Sequence, residues 1–174
     1  QHGKGSAIDA AAVTWGGILS LADGKPARET ITLDSHWYAL QHGIPQASTG
    51  ETVSAVRARH GHDHLLWQHF ADCTNALRQT LIQQNDPRDI LRDNQRLLEH
   101  IGIVPASTAA LIRHIEASGG AAKISGAGSH RGDQGGMILI WHPDRDALHA
   151  TLANNGWHAE PVRLAETGAA LVEA

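Results

Sequence analysis

The sequence of 174 residues predicts an α+β fold in which an antiparallel sheet is backed by helices. Short β-prone runs open the chain, and apolar stripes at helical spacing fill its middle. Two further β-prone runs then flank a glycine-rich stretch, and a short helical run and a final β-prone run follow. The order of strands, several helices, a strand pair, a helix and a strand is the basis of this prediction.

The first element is a helix that follows a turn rich in glycine and serine. Residues 7–13 are alanine-rich and favour a helix, which we expect to end at Gly16 and Gly17. Asp9 falls in the first turn of this helix, where the helix dipole favours an ionised carboxylate. Local sequence alone therefore explains Asp9 as a residue that stabilises a helix start.

A hairpin and a third strand come next. The runs GILSL (17–21) and ARETITL (27–33) surround the turn-rich ADGKP, and HWYAL (36–40) is a further strand candidate. A helix is predicted to begin near Thr49, with Ser48 or Thr49 as its cap.

Three helices are predicted in the middle of the chain, each from an apolar stripe with steps of three or four residues. The stripes are Leu66, Phe70, Cys73, Leu77 and Leu81, then Ile90, Leu91, Leu97, Leu98 and Ile101, then Leu111, Ile112 and Ile115. Pro87 and Pro105 mark the breaks between them.

The last part of the chain predicts two strands, a helix and a final strand. We expect AAKIS (121–125) and GMILIW (136–141) to be antiparallel neighbours, with the helices of residues 62–118 largely on one side of the sheet. A short helix ending at Gly156 and a strand over 158–164 complete the prediction.

The stretch between the two strands contains five glycines: Gly126, Gly128, Gly132, Gly135 and Gly136. Glycines permit positive φ and close backbone approach, so successive N–H groups can converge on an anion. A long, flexible hairpin loop is the alternative interpretation.

Composition restricts the class of protein. A net charge of −4 and a pI near 6.3 argue against a general nucleic-acid binder. Cys73 is the single cysteine, which excludes an internal disulfide, fits a reducing compartment and leads us to expect a cytoplasmic protein. No apolar run approaches the roughly 20 residues that span a bilayer, so no membrane partner is expected.

Two local patterns suggest ligand sites. His60, His62, His64, His69 and Cys73 form a dense run, but Cys73 lies on an apolar stripe and has no second cysteine beside it. We therefore expect no metal site there. In the triplet of residues 131–133, Arg131 is interpreted as a phosphate contact, and the likeness to an adhesion motif as coincidence.

Separated motifs, in matching order, resemble the GHMP kinase superfamily and are most similar to mevalonate kinases. The opening run resembles a G-x-P-S-G-x-D motif with a T-x-G-G ending, and further similarity lies in KISGAG, NQRLLEHIGI and HGIPQAST. The matching residues of the opening run are Gly3, Ser6, Ile8, Asp9, Thr14, Trp15, Gly16 and Gly17. The chain departs from the pattern at Gly5, at Ala7 and in the loop of residues 129–133.

The resemblance implies a domain organisation. Residues 1–34 would be the end of an N-terminal catalytic domain, and residues 35–174 a GHMP kinase C-terminal domain with a ferredoxin-like core. The main phosphate loop, the Mg²⁺ ligands and the usual lysine of the family have no counterpart here. The chain begins without a methionine, so we expect it to be a piece of a longer protein, inactive without the N-terminal half.

The resemblance also implies an activity: ATP-dependent phosphorylation of a hydroxyl of mevalonate or a close relative, with Mg²⁺. It makes Asp9 the catalytic carboxylate and assigns Ser6, Thr49, Gly126, Ala127, Gly128 and Arg131 to substrate or phosphate binding. A phosphomevalonate kinase and a non-catalytic module of the same fold are the alternatives. A homodimer is left open.

Overall fold

The computed structural model describes residues 7–169. Within these residues, six helices and six strands form an α+β fold with antiparallel sheets, as predicted. The chain divides into two compact units, one of residues 7–33 with 163–169 and one of residues 34–162. The assignment of residues 1–34 and 35–174 to two kinase domains stays a prediction.

The first unit contains a helix and a hairpin. Helix α1 spans Ala7–Trp15, and strands β1 (Ile18–Ala22) and β2 (Lys25–Glu29) pair antiparallel, which confirms the predicted hairpin. Its turn is Asp23-Gly24, and both residues have positive φ, as a two-residue hairpin turn requires. β2 ends four residues earlier than predicted, because its partner β1 begins at Ile18.

The second unit contains a four-stranded antiparallel sheet in the order β4-β5-β3-β6. Its strands are β3 (Trp37–His42), β4 (Ala121–Ser125), β5 (Gly136–Trp141) and β6 (Glu160–Pro161). The expectation that β4 and β5 are antiparallel neighbours is confirmed. β6 is only two residues long, whereas residues 158–164 were predicted. Its pairing ends where its partner β3 begins: the N–H of Val162 donates to the carbonyl of Trp37 (2.9 Å), the first residue of β3.

Five helices belong to the second unit: α2 (Thr49–His60), α3 (His64–Ile82), α4 (Arg88–His100), α5 (Ala106–Ala117) and α6 (Arg145–Ala153). Each helix predicted from an apolar stripe is present. The stripe of α5 is fully buried, whereas that of α3 is half-buried beyond Leu66. The difference arises because α5 packs on the sheet, while α3 packs chiefly against α4.

The main core lies between one face of the sheet and helices α5 and α6. Strand residues alternate between faces, so Leu40, Ile138 and Ile140 point to the same side and are 1% exposed or less. On α4, the buried Gln95 accepts a hydrogen bond from the N–H of Ile124 on β4 (3.0 Å). α4 therefore packs along β4, and α5 covers the face of the sheet.

A second apolar cluster joins the helices away from the sheet. Val56 of α2 and Leu66 of α3 pack with Ile101 and Ile103, which follow α4. This cluster places α2 beside the connection between α4 and α5.

Two buried histidines terminate strands of the sheet. His142 follows β5; its Nδ1 accepts the N–H of Asp144 (3.1 Å), and its Nε2 is 3.2 Å from the hydroxyl of Ser118. That hydroxyl donates to the carbonyl of Ile115, so it accepts from Nε2–H. His42 ends β3 and lies 3.0 Å from the Thr108 hydroxyl. Burial lowers the pKa of both imidazoles below the ordinary value of 6.5.

These lowered pKa values predict a loss of stability in mild acid. In the unfolded chain both histidines take up protons near pH 6.5, whereas in the folded chain they do so only at lower pH. The stability that the neutral, buried histidines contribute is therefore complete above about pH 6.5. It is lost as the pH falls from about 6.5 through the lower folded pKa values. We expect urea denaturation to give a smaller free energy of unfolding at about pH 5.5 than at about pH 7.5.

A variant separates His142 from other titrating groups. His142→Gln removes one of the two buried imidazoles, so its free energy of unfolding should change less over the same pH interval. His158→Gln, at an exposed position, is the control and should keep the full pH dependence. An unchanged pH dependence in His142→Gln would rule out this explanation.

Candidate functional site

The glycine loop, residues 126–135, connects β4 to β5 and is pressed against the segment between α4 and α5. The N–H of Ser129 donates to the carbonyl of Ile103 (2.8 Å). Gly128 lies against the same carbonyl with a φ of +63°, and a Cβ at this position would be 2.3 Å from the oxygen. Only glycine fits both the conformation and the space. The loop is therefore held at its middle.

Three successive N–H groups of this loop are available to a ligand. Among residues 7–169, no hydrogen-bond partner is found for the N–H groups of Gly126, Ala127 and Gly128. Gly126 has a φ of +111° and open space where a side chain would begin. A run of backbone N–H groups around positive-φ residues can form a concave site for an anion.

The loop is attached a second time, to the segment that leads into α2. The hydroxyl of Ser129 accepts the N–H of Ala47 (3.3 Å) and donates to the carbonyl of Arg131 (2.6 Å). The guanidinium of Arg131 pairs with the carboxylate of Glu51 (2.8 Å) and donates to the carbonyl of Gln46 (3.3 Å). We call the Ser129 and Arg131 contacts the loop clasp.

Glu51 is fixed by the start of its own helix. The N–H and hydroxyl of Ser48 both donate to Glu51 (2.8 Å each), and the N–H of Glu51 donates back to the Ser48 hydroxyl (3.3 Å). This capping box confirms Ser48 as the cap of α2. The hydrogen bonds from Ser48, with the charge of Arg131, hold the pKa of Glu51 below its ordinary value. Glu51 is therefore an ionised partner for Arg131.

These contacts bring together part of the predicted site. Gly126, Ala127, Gly128 and Arg131 lie in one loop, and the clasp connects that loop to the first turn of α2, which begins at the exposed Thr49. Arg131 already pairs with Glu51, so its assignment to a phosphate stays a prediction. Thr49 as a substrate contact stays a prediction as well.

The other predicted site residues lie in the N-terminal part of the chain. Asp9 is exposed in the first turn of α1, as the sequence predicted. Ser6 lies outside the described residues. The catalytic assignment of Asp9 rests on the sequence resemblance.

The histidine-rich segment does not gather into a site. In the part of the chain that the structure describes, no group of three or more His, Cys, Asp or Glu side chains could hold a metal ion. Burial raises the pKa of the Cys73 thiol, which donates to the carbonyl of Ile90 (3.4 Å).

No helix within residues 7–169 has the length and hydrophobicity needed to cross a bilayer.

Sequence reasoning missed a pocket of about 630 Å³ that borders the glycine loop at Gly126 and Ala127. One wall comes from Val53 and Val56 of α2, and the facing wall from Ile101 and Ile103. The i, i+3 spacing of the two valines is the only sequence signal for it. The facing residues lie more than 40 positions further along the chain.

The fold is shared with solved kinases. The chain is similar to L. major mevalonate kinase, solved with R-mevalonate, with a TM-score of 0.71 and 22% identity over 88% of this chain and 49% of that one. Methanococcus jannaschii mevalonate kinase gives a TM-score of 0.73 and 16% identity, over 94% of this chain and 51% of that one. Streptococcus pneumoniae phosphomevalonate kinase gives a TM-score of 0.58 and 16% identity, over 79% of this chain and 44% of that one.

These similarities establish the fold of the chain, which is that of the C-terminal part of GHMP kinases. The chain spans about half the length of the mevalonate kinases it matches. No family model matches the sequence, and neither does any curated protein.

The close packing of Gly128 gives a test of the loop geometry. Gly128→Ala forces a Cβ against the Ile103 carbonyl at positive φ, so we expect the free energy of unfolding to fall by about 1–3 kcal/mol. Urea denaturation measures this change. Gly50→Ala, in α2 with open space around it, should instead be neutral or stabilising by up to about 1 kcal/mol. Equal stability of Gly128→Ala and the unchanged protein would contradict the loop geometry.

Proposed function

We propose that this chain forms the C-terminal part of an ATP-dependent kinase that phosphorylates a hydroxyl of mevalonate or a close relative. The observation that carries the proposal is the run of free N–H groups at Gly126, Ala127 and Gly128. It occurs in a fold similar to two mevalonate kinases, and the resemblance of the opening motif to mevalonate kinases adds support.

In this proposal the glycine loop binds phosphate oxygens of ATP. The three N–H groups donate, and the lack of side chains at Gly126 and Gly128 lets the phosphates approach the backbone. The loop clasp holds the donors in place before ATP binds, which reduces the ordering that binding requires. Arg131, whose guanidinium is held by the carboxylate of Glu51 (2.8 Å), is assigned to phosphate binding as well.

Asp9 accepts the proton of the acceptor hydroxyl in the proposed reaction. The hydroxyl oxygen forms a bond to the γ-phosphorus of ATP, the bond from that phosphorus to the β,γ-bridging oxygen breaks, and ADP leaves. The O–H electron pair stays on the attacking oxygen as Asp9 takes the proton. Ser6 and Thr49 are assigned to binding the acceptor.

The Mg²⁺ that accompanies ATP in GHMP kinases is held by one or two carboxylates together with the phosphates. On the sequence resemblance, we assign these Mg²⁺ ligands and the main phosphate loop to the N-terminal half, the partner that the chain requires.

Two alternatives are kept. The likeness to Streptococcus pneumoniae phosphomevalonate kinase favours a phosphorylated acceptor as the second candidate. A non-catalytic module with the same fold is the third, and it predicts no dependence of any activity on Asp9.

The role of Asp9 is tested by Asp9→Asn in this chain joined to the N-terminal half of a mevalonate kinase. The substitution keeps the shape and removes the proton acceptor, so kcat should fall by roughly 10²–10⁴-fold. The KM for ATP should change little, because Asp9 is assigned to the acceptor hydroxyl. Release of ADP that depends on R-mevalonate measures both constants.

Three controls accompany this test. Asp23→Asn in the β1–β2 turn, at a positive-φ position that asparagine tolerates, removes a carboxylate outside the proposed site and should leave kcat unchanged. The chain of 174 residues alone should release no ADP that depends on mevalonate, because it lacks the other half of the site. Replacing R-mevalonate by its phosphate ester distinguishes the second candidate. A near-normal kcat in Asp9→Asn would make Asp9 a helix-start residue only and overturn the mechanism.

A further inference from the structure

The start of β3 and the start of α6 border a cavity of about 310 Å³, which we call the Tyr38 cavity. Its lining residues are Ser35, His36, Tyr38, Pro143, Arg145 and Pro161. The glycine loop lies at the opposite end of the sheet, where β3 ends beside the start of β5. At about 3.3 Å per residue, the length of β3 separates these two ends by roughly 17 Å. The Tyr38 cavity is therefore distinct from the candidate site at the glycine loop.

Tyr38 is a buried residue with an unpaired polar atom. It is 3% exposed, and it belongs to the main core between the sheet and helices α5 and α6. Among residues 7–169, its phenol hydroxyl has no hydrogen-bond partner. A buried tyrosine hydroxyl usually has one. Because Tyr38 lines the cavity, a molecule bound there can supply the missing partner.

Arg145 presents a guanidinium that is oriented but not neutralised. It is the first residue of α6, and it forms no ion pair within residues 7–169. Its Nε donates to Nε2 of His149, one turn further along the helix (3.3 Å). The His149 ring contacts the Tyr38 ring edge-on and stacks on His158, which pairs with Glu160 (2.9 Å). The two terminal nitrogens of Arg145 are therefore free to bind an anion in bidentate geometry.

Ser35 and His36 add polar groups to the same lining, and none of the described residues that line the cavity is a carboxylate. The Ser35 hydroxyl has no partner among residues 7–169. The carboxylates adjacent in sequence have partners of their own: Asp34 lies 3.3 Å from Nδ1 of His36, and Asp144 accepts the N–H of Ala147 as the cap of α6 (3.0 Å). A ligand in the cavity therefore meets a cation and several hydrogen-bond donors.

We propose that the Tyr38 cavity binds a small phosphate monoester, with the phosphate at Arg145 and the Tyr38 hydroxyl and the organic part against Pro143 and Pro161. Several donor side chains around one cavity favour the three terminal oxygens of a phosphate over the two of a carboxylate. A volume of about 310 Å³ lies at the lower end of the range of about 300–1,000 Å³ that small-molecule sites occupy. The site goes beyond the proposed phosphoryl transfer, because it needs neither Asp9 nor the glycine loop.

Titration of the ¹⁵N-labelled chain with phenyl phosphate tests the proposal, with benzoate as the carboxylate probe and benzyl alcohol as the uncharged probe. At about pH 7.5 a phosphate monoester is largely dianionic. We expect saturable one-site shifts of the amide signals of Ser35, His36 and Arg145. Benzoate should bind more weakly than phenyl phosphate, and benzyl alcohol more weakly than benzoate.

Three variants localise the binding. Arg145→Gln should weaken phenyl phosphate binding by about 10–100-fold, because it removes the charge-assisted hydrogen bonds. Tyr38→Phe should weaken it by about threefold to tenfold without lowering the melting temperature, since the hydroxyl has no partner to lose within residues 7–169. Arg59→Gln removes an exposed arginine of α2 that donates to the carbonyl of Ala55 (3.3 Å). This control should bind phenyl phosphate as the unchanged chain does.

Several outcomes would overturn the inference: no saturable shifts at Ser35, His36 and Arg145, binding of benzoate or benzyl alcohol as tight as that of phenyl phosphate, or equal weakening by Arg145→Gln and Arg59→Gln. Phosphate binding at the glycine loop is seen separately, as shifts of residues 126–128 that should persist in Arg145→Gln. Failure here would leave the Asp9→Asn test untouched, and a normal kcat in Asp9→Asn would leave this site standing.

Discussion

The carbonyl of Ile103 fixes the path of the glycine loop, and the arrangement of the candidate site depends on that contact. It accepts the N–H of Ser129 and lies so close to Gly128 that no side chain fits between them. The ends of the loop are set by the antiparallel pairing of β4 with β5. With both ends and the middle held, the N–H groups at the start of the loop keep a fixed direction without any partner among residues 7–169.

Helix α2 makes polar contacts in its first turn and apolar contacts in the turns that follow. Its first turn is polar: the capping box keeps Glu51 ionised, and Glu51 holds Arg131 in the loop clasp. The following turns are apolar on one side, where Val53 and Val56 form a wall of the pocket. The glycine loop therefore contacts α2 through the Glu51–Arg131 ion pair and borders the apolar pocket that α2 lines. An exposed ion pair of this kind contributes little stability, so the value of the Glu51–Arg131 pair lies in positioning.

The sequence predicted the helices and strands whose buried residues recur at regular spacing along the chain. The stripe of α5 and the β4–β5 pair were found because buried residues recur with the period of their element. β2 and β6 were predicted too long, since the length of a strand depends on its partner as much as on its own residues. The Arg131–Glu51 pair, 80 positions apart, and the pocket behind α2 had no local signal. Asp9 is the opposite case: its position in a first turn was predictable, but only the resemblance gives it a chemical role.

We propose that residues 34–162 by themselves hold the N–H groups of the glycine loop ready for a phosphate. A titration of the ¹⁵N-labelled chain with Mg·ATP, followed by amide NMR signals, tests it most directly. Saturable shifts are expected at Gly126, Ala127 and Gly128, and none at Gly156, which lies in a turn after α6. Absence of shifts in the glycine loop at saturating nucleotide, or equal shifts at Gly156, would contradict it.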